Sequence, residues 1–244
     1  MKTMAAKTVL ITGCSSGFGR SMTTKFLENG WTVYATMRRA NERRNIFEKE
    51  LATYGNQLNI FELDVTSAKD RRAVANALPK GLDCLINNAG YMFLGALEDC
   101  TEEEIRAQFE VNFFAPTLLT QELLPQLREQ KGIVINISSV FGFLTWPLSS
   151  VYCASKYALE GLTESLRQEL QPYGVRVTLI EPGSHRTGLV ENLRWGSKQM
   201  AENSLYKTET KQYKNLRGQM KEETTFSTND VANLALKIAQ KNST

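Results

Sequence analysis

The sequence predicts an α/β fold in which helices cover both faces of one parallel β-sheet. Short apolar runs alternate with longer helical stretches along the chain, a pattern typical of a sheet whose strands are buried on both faces. A glycine-rich turn directly follows the first of these runs, and no linker rich in proline, glycine or serine divides the chain. The predicted strands are residues 9–12, 32–36, 59–63, 84–87, 133–137 and 176–180.

The order of these elements predicts a doubly wound sheet. Right-handed crossovers and a glycine loop after the first strand give the strand order 3-2-1-4-5-6. We expect a single domain over residues 1–244, because neither a linker nor an internal repeat is apparent.

Two predicted helices carry N-terminal capping signals. Thr101 is followed by Glu104 in the T-x-x-E arrangement, which predicts a helix start at this point. Ser227 or Thr228 opens the last predicted helix, residues 228–239.

A proline interrupts the long helix predicted over residues 102–128. Pro116 has no backbone N–H, so the carbonyl of Asn112, four residues earlier, loses its partner within the helix. We therefore expect the helix to kink at Asn112 and to free a carbonyl that can hold a water.

Composition and charge exclude several classes of function. Hydrophobic residues make up 42% of the 244 residues, enough for a sizeable core, and the net charge of +3 is too small and scattered to indicate a nucleic-acid partner. No stretch reaches about 18 apolar residues, so we expect neither a signal peptide nor a membrane span. The four cysteines have no metal-ligand spacing, which indicates reduced thiols in a cytoplasmic protein without a metal site.

The sole histidine, His185, argues against a histidine-based hydrolase triad. His185 follows the sixth predicted strand. It is either a residue near the substrate or a polar loop residue without a catalytic role.

The glycine-rich turn is a candidate phosphate-binding loop. Gly13, Gly17 and Gly19 lie between the first strand and a helix, where glycines let the backbone approach a pyrophosphate. The alternative is a tight strand-to-helix connection without a ligand.

Tyr152 and Lys156 form a candidate acid–base pair. They are four residues apart in a predicted helix over residues 151–170, so both side chains lie on one face. An ammonium group beside a phenol favours the phenolate and lowers the phenol's pKa from about 10 towards the working range. On spacing alone the evidence is weak, because a tyrosine and a lysine four residues apart on a helix are usually explained by packing and a solvated charge.

Together these motifs resemble the short-chain dehydrogenase/reductase family, a family of Rossmann-like oxidoreductases. The resemblance covers about residues 7 to 190 and is similar in detail to the 17β-hydroxysteroid and retinol dehydrogenase branch. The matching positions, in the family's order, are Thr12-Gly13-xxx-Gly17-x-Gly19, Asp64, Asn87-Asn88-Ala89-Gly90, Asn112, Ser139, Tyr152-xxx-Lys156 and Pro182-Gly183-xxx-Thr187.

The resemblance implies roles for individual residues. It assigns hydride-transfer catalysis to Asn112, Ser139, Tyr152 and Lys156, with Tyr152 as acid and base and Asn112 holding a water in a proton path. Ser138 is the competitor for the serine role. The implied cofactor-binding residues are Gly13, Ser15, Ser16, Gly17, Phe18, Gly19, Arg38, Asp64, Val65, Asn88, Ala89, Gly90, Tyr152, Lys156, Pro182, Gly183 and Thr187.

Structural alternatives remain for two of these segments. Asp64 resembles the family's contact to the adenine edge, but it is equally suited to capping the turn that enters the next helix. Asn88-Ala89-Gly90 resembles the lining of the adenosine ribose, and it is equally suited to a strand-terminating turn.

The residues after the second strand predict NADP(H) in preference to NAD(H). An acidic residue there selects NAD, and this chain has Arg38 and Arg39 instead. The guanidinium of Arg38 offers a planar fork that matches a 2′-phosphate, and Ser15 is a second candidate donor to it. The alternative is that both arginines belong to a solvated turn.

Aromatic residues near the pair predict an apolar substrate pocket and therefore a hydrophobic ketone, aldehyde or secondary alcohol. The alternative is that they serve ordinary loop packing and subunit contact. The resemblance implies that residues 184–226 form a substrate-covering lid. The candidate pocket residues are Phe93, Phe141, Phe143, Trp146, His185 and Trp195.

Family members usually continue past the last helix into a seventh strand. This sequence stops at Thr244, so we expect that strand to be absent and one sheet edge to be unpaired. Because relatives pair through their two long helices, we expect a homodimer or homotetramer. An active enzyme and a nucleotide-binding sensor of the same fold without turnover are the competing functions, and the complete set of four catalytic residues favours the enzyme.

Overall fold

The structure is a computed structural model that describes residues 6–183, 193–223 and 226–241. Its main sheet has six parallel strands in the order β3-β2-β1-β4-β6-β7, and the two remaining strands pair separately with each other. The strands are β1 Thr8–Ile11, β2 Thr32–Met37, β3 Leu58–Glu62, β4 Cys84–Asn87, β5 Phe93–Leu94, β6 Ile133–Ile137, β7 Arg176–Ile180 and β8 Arg194–Trp195.

Helices connect the strands on both faces of the sheet. They are α1 Gly17–Glu28, α2 Ala40–Arg43, α3 Glu48–Tyr54, α4 Ala68–Ala77, α5 Glu102–Phe109, α6 Ala115–Gln130, α7 Ser150–Leu170, α8 Lys207–Glu223 and α9 Thr228–Gln240. Among the helices of the described ranges, none combines the length and the apolar character needed to cross a bilayer.

The core lies in two layers, one on each side of the sheet. Successive strand residues face opposite sides, so Val9 and Ile11 join a cluster with Phe26 of α1, whereas Leu10 joins the opposite cluster. Leu123 of α6 lies in that second cluster. Helices α1 and α9 therefore cover one face, and α4 and α6 cover the other.

The predicted doubly wound fold is confirmed. Counting only the strands of the main sheet, the observed order is the predicted 3-2-1-4-5-6. The bounds of β4, β6 and β7 are those predicted, and β1, β2 and β3 differ from their predicted bounds by one residue at one or both ends. The pair β5–β8 was not predicted, because a strand of two residues carries no periodic signal.

The helix predicted over residues 102–128 is irregular near Pro116, where the sequence predicted a kink. A π-helical turn, Glu110–Phe114, separates α5 from α6, and Pro116 lies in the first turn of α6. At the start of α5, Thr101 and Glu104 form the expected capping box.

Candidate functional site

The motif segments meet at the carboxyl ends of the strands. Residue 13 follows β1, residue 88 follows β4, residue 139 follows β6 and residue 182 follows β7. The Thr12 hydroxyl joins two of these segments, because it accepts the backbone N–H groups of Asn88 and Ala89, each at 2.9 Å. One crevice at the edge of the sheet therefore contains all of these segments.

The glycine loop is shaped for a close approach of backbone to ligand. Gly13 and Gly17 have φ angles of 72° and 55°, in the left-handed region that favours glycine. A Cβ on Gly19 would collide with the carbonyl oxygen of Gly13 and with the Asn88 amide, so only glycine fits there.

The amino end of α1 is open to an anion. Ser16 is its N-cap, but the Ser16 side chain makes no capping hydrogen bond, and the first turn contains no acidic residue. The N–H groups and positive dipole of this turn therefore fit a pyrophosphate group.

Asn88 supports this loop from the neighbouring strand. Its side-chain amide donates to the backbone oxygens of Thr12 at 2.7 Å and Gly13 at 3.2 Å. The Asn88 side chain therefore holds the loop, and Ala89 is the member of this segment that lines a cavity.

That cavity is small, about 10 Å³, and Val65 and Val111 also line it. It lies beside the segment that was predicted to bind the adenosine end of a dinucleotide. Val65 and Ala89 were predicted to bind the cofactor, and Val111 of the π-helical turn was not.

Asp64 lies beside this end of the site. Its carboxylate accepts the backbone N–H of Thr66 at 3.0 Å and the Thr66 hydroxyl at 2.7 Å, so it does cap a local turn. Burial acts to raise the pKa of Asp64, but these bonds and the charge of Arg38 outweigh burial and hold the pKa below its usual value. Arg38 thus exerts its charge at the adenosine end.

Tyr152 and Lys156 lie buried on one face of α7, with exposed fractions of 2% and 7%. The Lys156 ammonium donates to the backbone oxygen of Ile137 at 2.9 Å and lies 6.0 Å from the centroid of the Tyr152 ring. Burial lowers the pKa of Lys156 to about 8, against an opposing contribution from the charge of Glu160. The predicted pair is therefore together, at the end of β6.

Ser139 is buried and lies two residues after the end of β6. Its hydroxyl oxygen accepts the backbone N–H of Phe141 at 3.2 Å, which leaves the hydroxyl proton available for a substrate oxygen. The neighbouring Ser138 hydroxyl faces Glu160 beside Gly142.

Asn112 is held from two sides. Its side chain donates to the backbone oxygen of Tyr91 at 3.0 Å and accepts the Tyr91 N–H at 3.2 Å, and it donates to the Ser155 hydroxyl at 3.4 Å. Ser155 precedes Lys156 on α7, so Asn112 ties the π-helical turn to the helix that carries the pair.

The predicted pocket residues fall into two groups. Phe141 and Trp195 pack in the apolar cluster around Tyr152, and the ring of Phe141 meets that of Tyr152 edge-on at 6.1 Å. Phe143 and Trp146 are not part of this cluster and are about half exposed, at 53% and 49%.

Phe93, which was predicted to line the pocket, lies outside the cluster around Tyr152. It lies in a separate cluster with Tyr91 and Val151, because successive residues of β5 face opposite sides. Met92 and Leu94 are the neighbours that face Tyr152.

Sequence reasoning missed Tyr213 of α8. Tyr213 is only 9% exposed, belongs to the same cluster as Tyr152, and meets the Trp195 ring edge-on at 6.1 Å. An aromatic residue in the strongly polar segment of residues 207–221 was the available signal. His185 and Thr187 lie outside the described residues.

Comparison with known proteins identifies the family. The family described as short chain dehydrogenase matches residues 7–198, which include the glycine loop, Ser139, Tyr152 and Lys156. The chain belongs to the short-chain dehydrogenase family. The described residues contain no cluster of His, Cys, Asp or Glu side chains that could hold a metal ion.

Named relatives of this short-chain dehydrogenase include reductases and a steroid dehydrogenase. A 3-ketodihydrosphingosine reductase of Bacteroides thetaiotaomicron is 38% identical over 193 residues, covering 78% of this chain and 68% of the relative. An NADPH-dependent 3-dehydrocapnine reductase of Ornithobacterium rhinotracheale is 38% identical over 200 residues, covering 77% and 66%. Human 17-beta-hydroxysteroid dehydrogenase type 1 is 36% identical over 197 residues, covering 78% and 60%. The chain thus spans roughly two thirds of the length of these relatives.

Solved structures agree with the family. A short-chain dehydrogenase from Streptomyces avermitilis, 34% identical, superposes with a TM-score of 0.85 over 99% of this chain and 86% of its own. A serine dehydrogenase complexed with NADP+ is 26% identical, with a TM-score of 0.77 over 96% and 90%. Members of the family with this fold therefore bind a nicotinamide dinucleotide.

Proposed function

We propose that this short-chain dehydrogenase transfers a hydride between NADP(H) and a hydrophobic ketone or secondary alcohol, with Tyr152 as acid and base. The observation that carries the proposal is the burial of Tyr152 and Lys156 on one face of α7, beside Ser139. This group lies at the same sheet edge as the open glycine loop.

The residues of the crevice fit a dinucleotide along its length. The N–H groups and positive dipole at the start of α1 suit the pyrophosphate, and the segments that contain Val65 and Ala89 would contact the adenosine. Arg38 and Ser15 would hold a 2′-phosphate, and Lys156, Pro182 and Gly183 lie towards the nicotinamide end. When bound, the cofactor supplies or accepts the hydride.

The protein's own residues would manage the substrate oxygen. Ser139 donates its hydroxyl proton to that oxygen and polarises the carbonyl. Tyr152 gives a proton to the oxygen in reduction and takes one in oxidation, and the Lys156 ammonium favours the phenolate that remains. The Asn112 side chain fixes the position of α7 through Ser155.

The apolar cluster around Tyr152 supports a hydrophobic substrate. Its members Met92, Leu94, Tyr213 and Trp195 would exclude water from the reacting carbonyl. Two relatives carry names that describe reduction of a 3-keto or 3-dehydro compound. We therefore assign a ketone with a long apolar substituent, with residues 184–226 as its cover.

A homologous series of methyl ketones tests the substrate class. Each methylene buried in the cluster should raise kcat/KM about fourfold, since burying one CH₂ is worth about 0.8 kcal/mol. The measurement is NADPH oxidation at 340 nm with chains of increasing length. Values of kcat/KM that stay flat along the series would contradict an apolar pocket.

The buried lysine predicts a loss of activity at alkaline pH. Lys156 must be charged to stabilise the phenolate, and its pKa of about 8 means that the charge is lost as the pH rises past that value. We expect kcat/KM for NADPH, which reports groups of the free protein, to fall up to about tenfold per pH unit above pH 8. A profile that is level through this range would show that the lysine charge is not needed.

A further inference from the structure

The Glu62 carboxylate accepts hydrogen bonds from the backbone beside the arginines that follow β2. Glu62 is the last residue of β3 and pairs in register with Met37, the last residue of β2. One carboxylate oxygen accepts the backbone N–H of Arg39 and the other accepts that of Ala40, each at 2.6 Å. We call these two hydrogen bonds the Glu62 clamp.

The clamp acts where the chain takes an unusual conformation. Arg39 has φ 55° and ψ 48°, in the left-handed region that residues other than glycine and asparagine rarely adopt. A short loop does not hold an arginine in this region by itself. The charged hydrogen bonds of Glu62 supply the restraint, because they occupy the N–H of Arg39 and of the next residue.

This conformation gives the two arginines different surroundings. The Arg39 guanidinium turns along α2 to Glu42, at 3.9 Å, and both side chains are well exposed. The Arg38 charge acts instead on the Asp64 carboxyl, beside the cavity lined by Val65. The Arg39 guanidinium is therefore directed to Glu42, whereas the charge of Arg38 acts beside Val65.

We propose that Glu62 is a positioning residue for cofactor selection, whose clamp on Arg39 and Ala40 holds Arg38 in place for the 2′-phosphate of NADP(H). This inference rests on the proposed function, because it assumes that Arg38 meets that phosphate. Glu62 itself contacts the backbone and not the cofactor, so it acts only through the loop.

When Glu62 is replaced, the direction of the change in NADPH affinity distinguishes a positioning role from simple electrostatics. Removal of a negative charge near a phosphate site should by itself strengthen the binding of a cofactor that carries an extra phosphate. Loss of the clamp should do the opposite, because the Arg38 side chain would no longer be held in one place. NADH lacks the 2′-phosphate and provides the internal reference.

The test is a titration of the purified chain with NADPH and with NADH, followed by energy transfer from its tryptophans. In Glu62→Ala we expect Kd for NADPH to rise at least about fivefold and Kd for NADH to change less than about twofold, because only NADPH uses Arg38. Glu62→Gln keeps one acceptor oxygen and should show the same selectivity with a smaller rise. Glu42→Gln removes the same charge from the same surface without touching the clamp, and it should leave or slightly tighten NADPH binding.

Three outcomes would overturn the inference. They are an unchanged or tighter NADPH complex in both Glu62 variants, an equal loss for the two cofactors, and an equal weakening of NADPH binding by Glu42→Gln. Thermal melting of each variant identifies a folding defect, and Glu62→Gln carries the test if Glu62→Ala does not fold. A wild-type chain without preference for NADPH would instead contradict the cofactor choice in the proposed function, whatever the variants do.

Discussion

Replacing Tyr152 with phenylalanine should reduce turnover at least about 100-fold while NADPH still binds, because the change removes only the acid–base group. The phenol oxygen is the one atom lost, and the ring stays in its apolar cluster with Phe141 and Tyr213. The measurement pairs kcat for ketone reduction with Kd for NADPH from tryptophan fluorescence.

Tyr157, on the same helix, offers a matched control for this change. It is 44% exposed and absent from the cluster around Tyr152, so Tyr157→Phe should leave kcat within about twofold, as expected of a surface substitution. Turnover that survives in Tyr152→Phe would remove Tyr152 from its assigned role. Loss of NADPH binding together with turnover would indicate a damaged site.

Replacing Arg38 with alanine should weaken NADPH binding by about 10- to 100-fold and leave NADH binding nearly unchanged. The range follows from about 1.5–3 kcal/mol for a hydrogen bond to a charged group. Titration of the variant with each cofactor in turn gives both constants. The ratio of the two constants is the quantity that matters, because general loss of affinity would affect both cofactors.

Arg39 provides the control for Arg38. Its guanidinium lies 3.9 Å from Glu42 and is 63% exposed, so Arg39→Ala should change the ratio much less. If Arg39→Ala and Arg38→Ala have equal effects, the two arginines form a general basic surface and Arg38 is not the selector. If the wild-type chain binds NADH more tightly than NADPH, Arg38 does not select NADPH.

Much of the fold could be predicted because its signals are local. The strands are short continuous apolar runs, and their order follows from right-handed crossovers once the glycine loop marks the first strand. The Gly13–Gly19 loop and the Tyr152–Lys156 spacing are sequence patterns whose residues are adjacent or one turn apart. Such patterns place the glycine loop at the carboxyl end of the first strand and put Tyr152 and Lys156 on one face of a helix.

The substrate side of the site depends on contacts between distant segments. Phe93 differs from Met92 and Leu94 only in which side of a two-residue strand it faces, and that side is decided by pairing with Arg194–Trp195. Tyr213 reaches the cluster from a polar helix far along the chain. Sequence periodicity does not register such tertiary pairing, so the pocket residues could be predicted only from their proximity in the chain.

Hydrogen bonds between side chains and the backbone of neighbouring loops could also not be predicted from the sequence. Glu62 reads as an ordinary polar residue at the end of a strand, yet it binds two N–H groups of the neighbouring loop. The side-chain amide of Asn88 similarly donates hydrogen bonds to backbone oxygens of the glycine loop. These bonds depend on the register of adjacent strands, which the residue types alone do not specify.

Transfer of deuterium from NADPH labelled at the nicotinamide C4 to a hydrophobic ketone is the most direct test of hydride transfer at this site. Mass spectrometry of the alcohol product, with both C4 epimers of the labelled cofactor, reads the transfer itself. We predict that one epimer delivers its deuterium to the carbonyl carbon in the wild type, and that Tyr152→Phe forms almost no labelled alcohol. A wild-type chain that binds NADPH but yields no labelled alcohol from any ketone of the series would contradict the proposed oxidoreductase activity. That result would favour a nucleotide-binding protein without turnover.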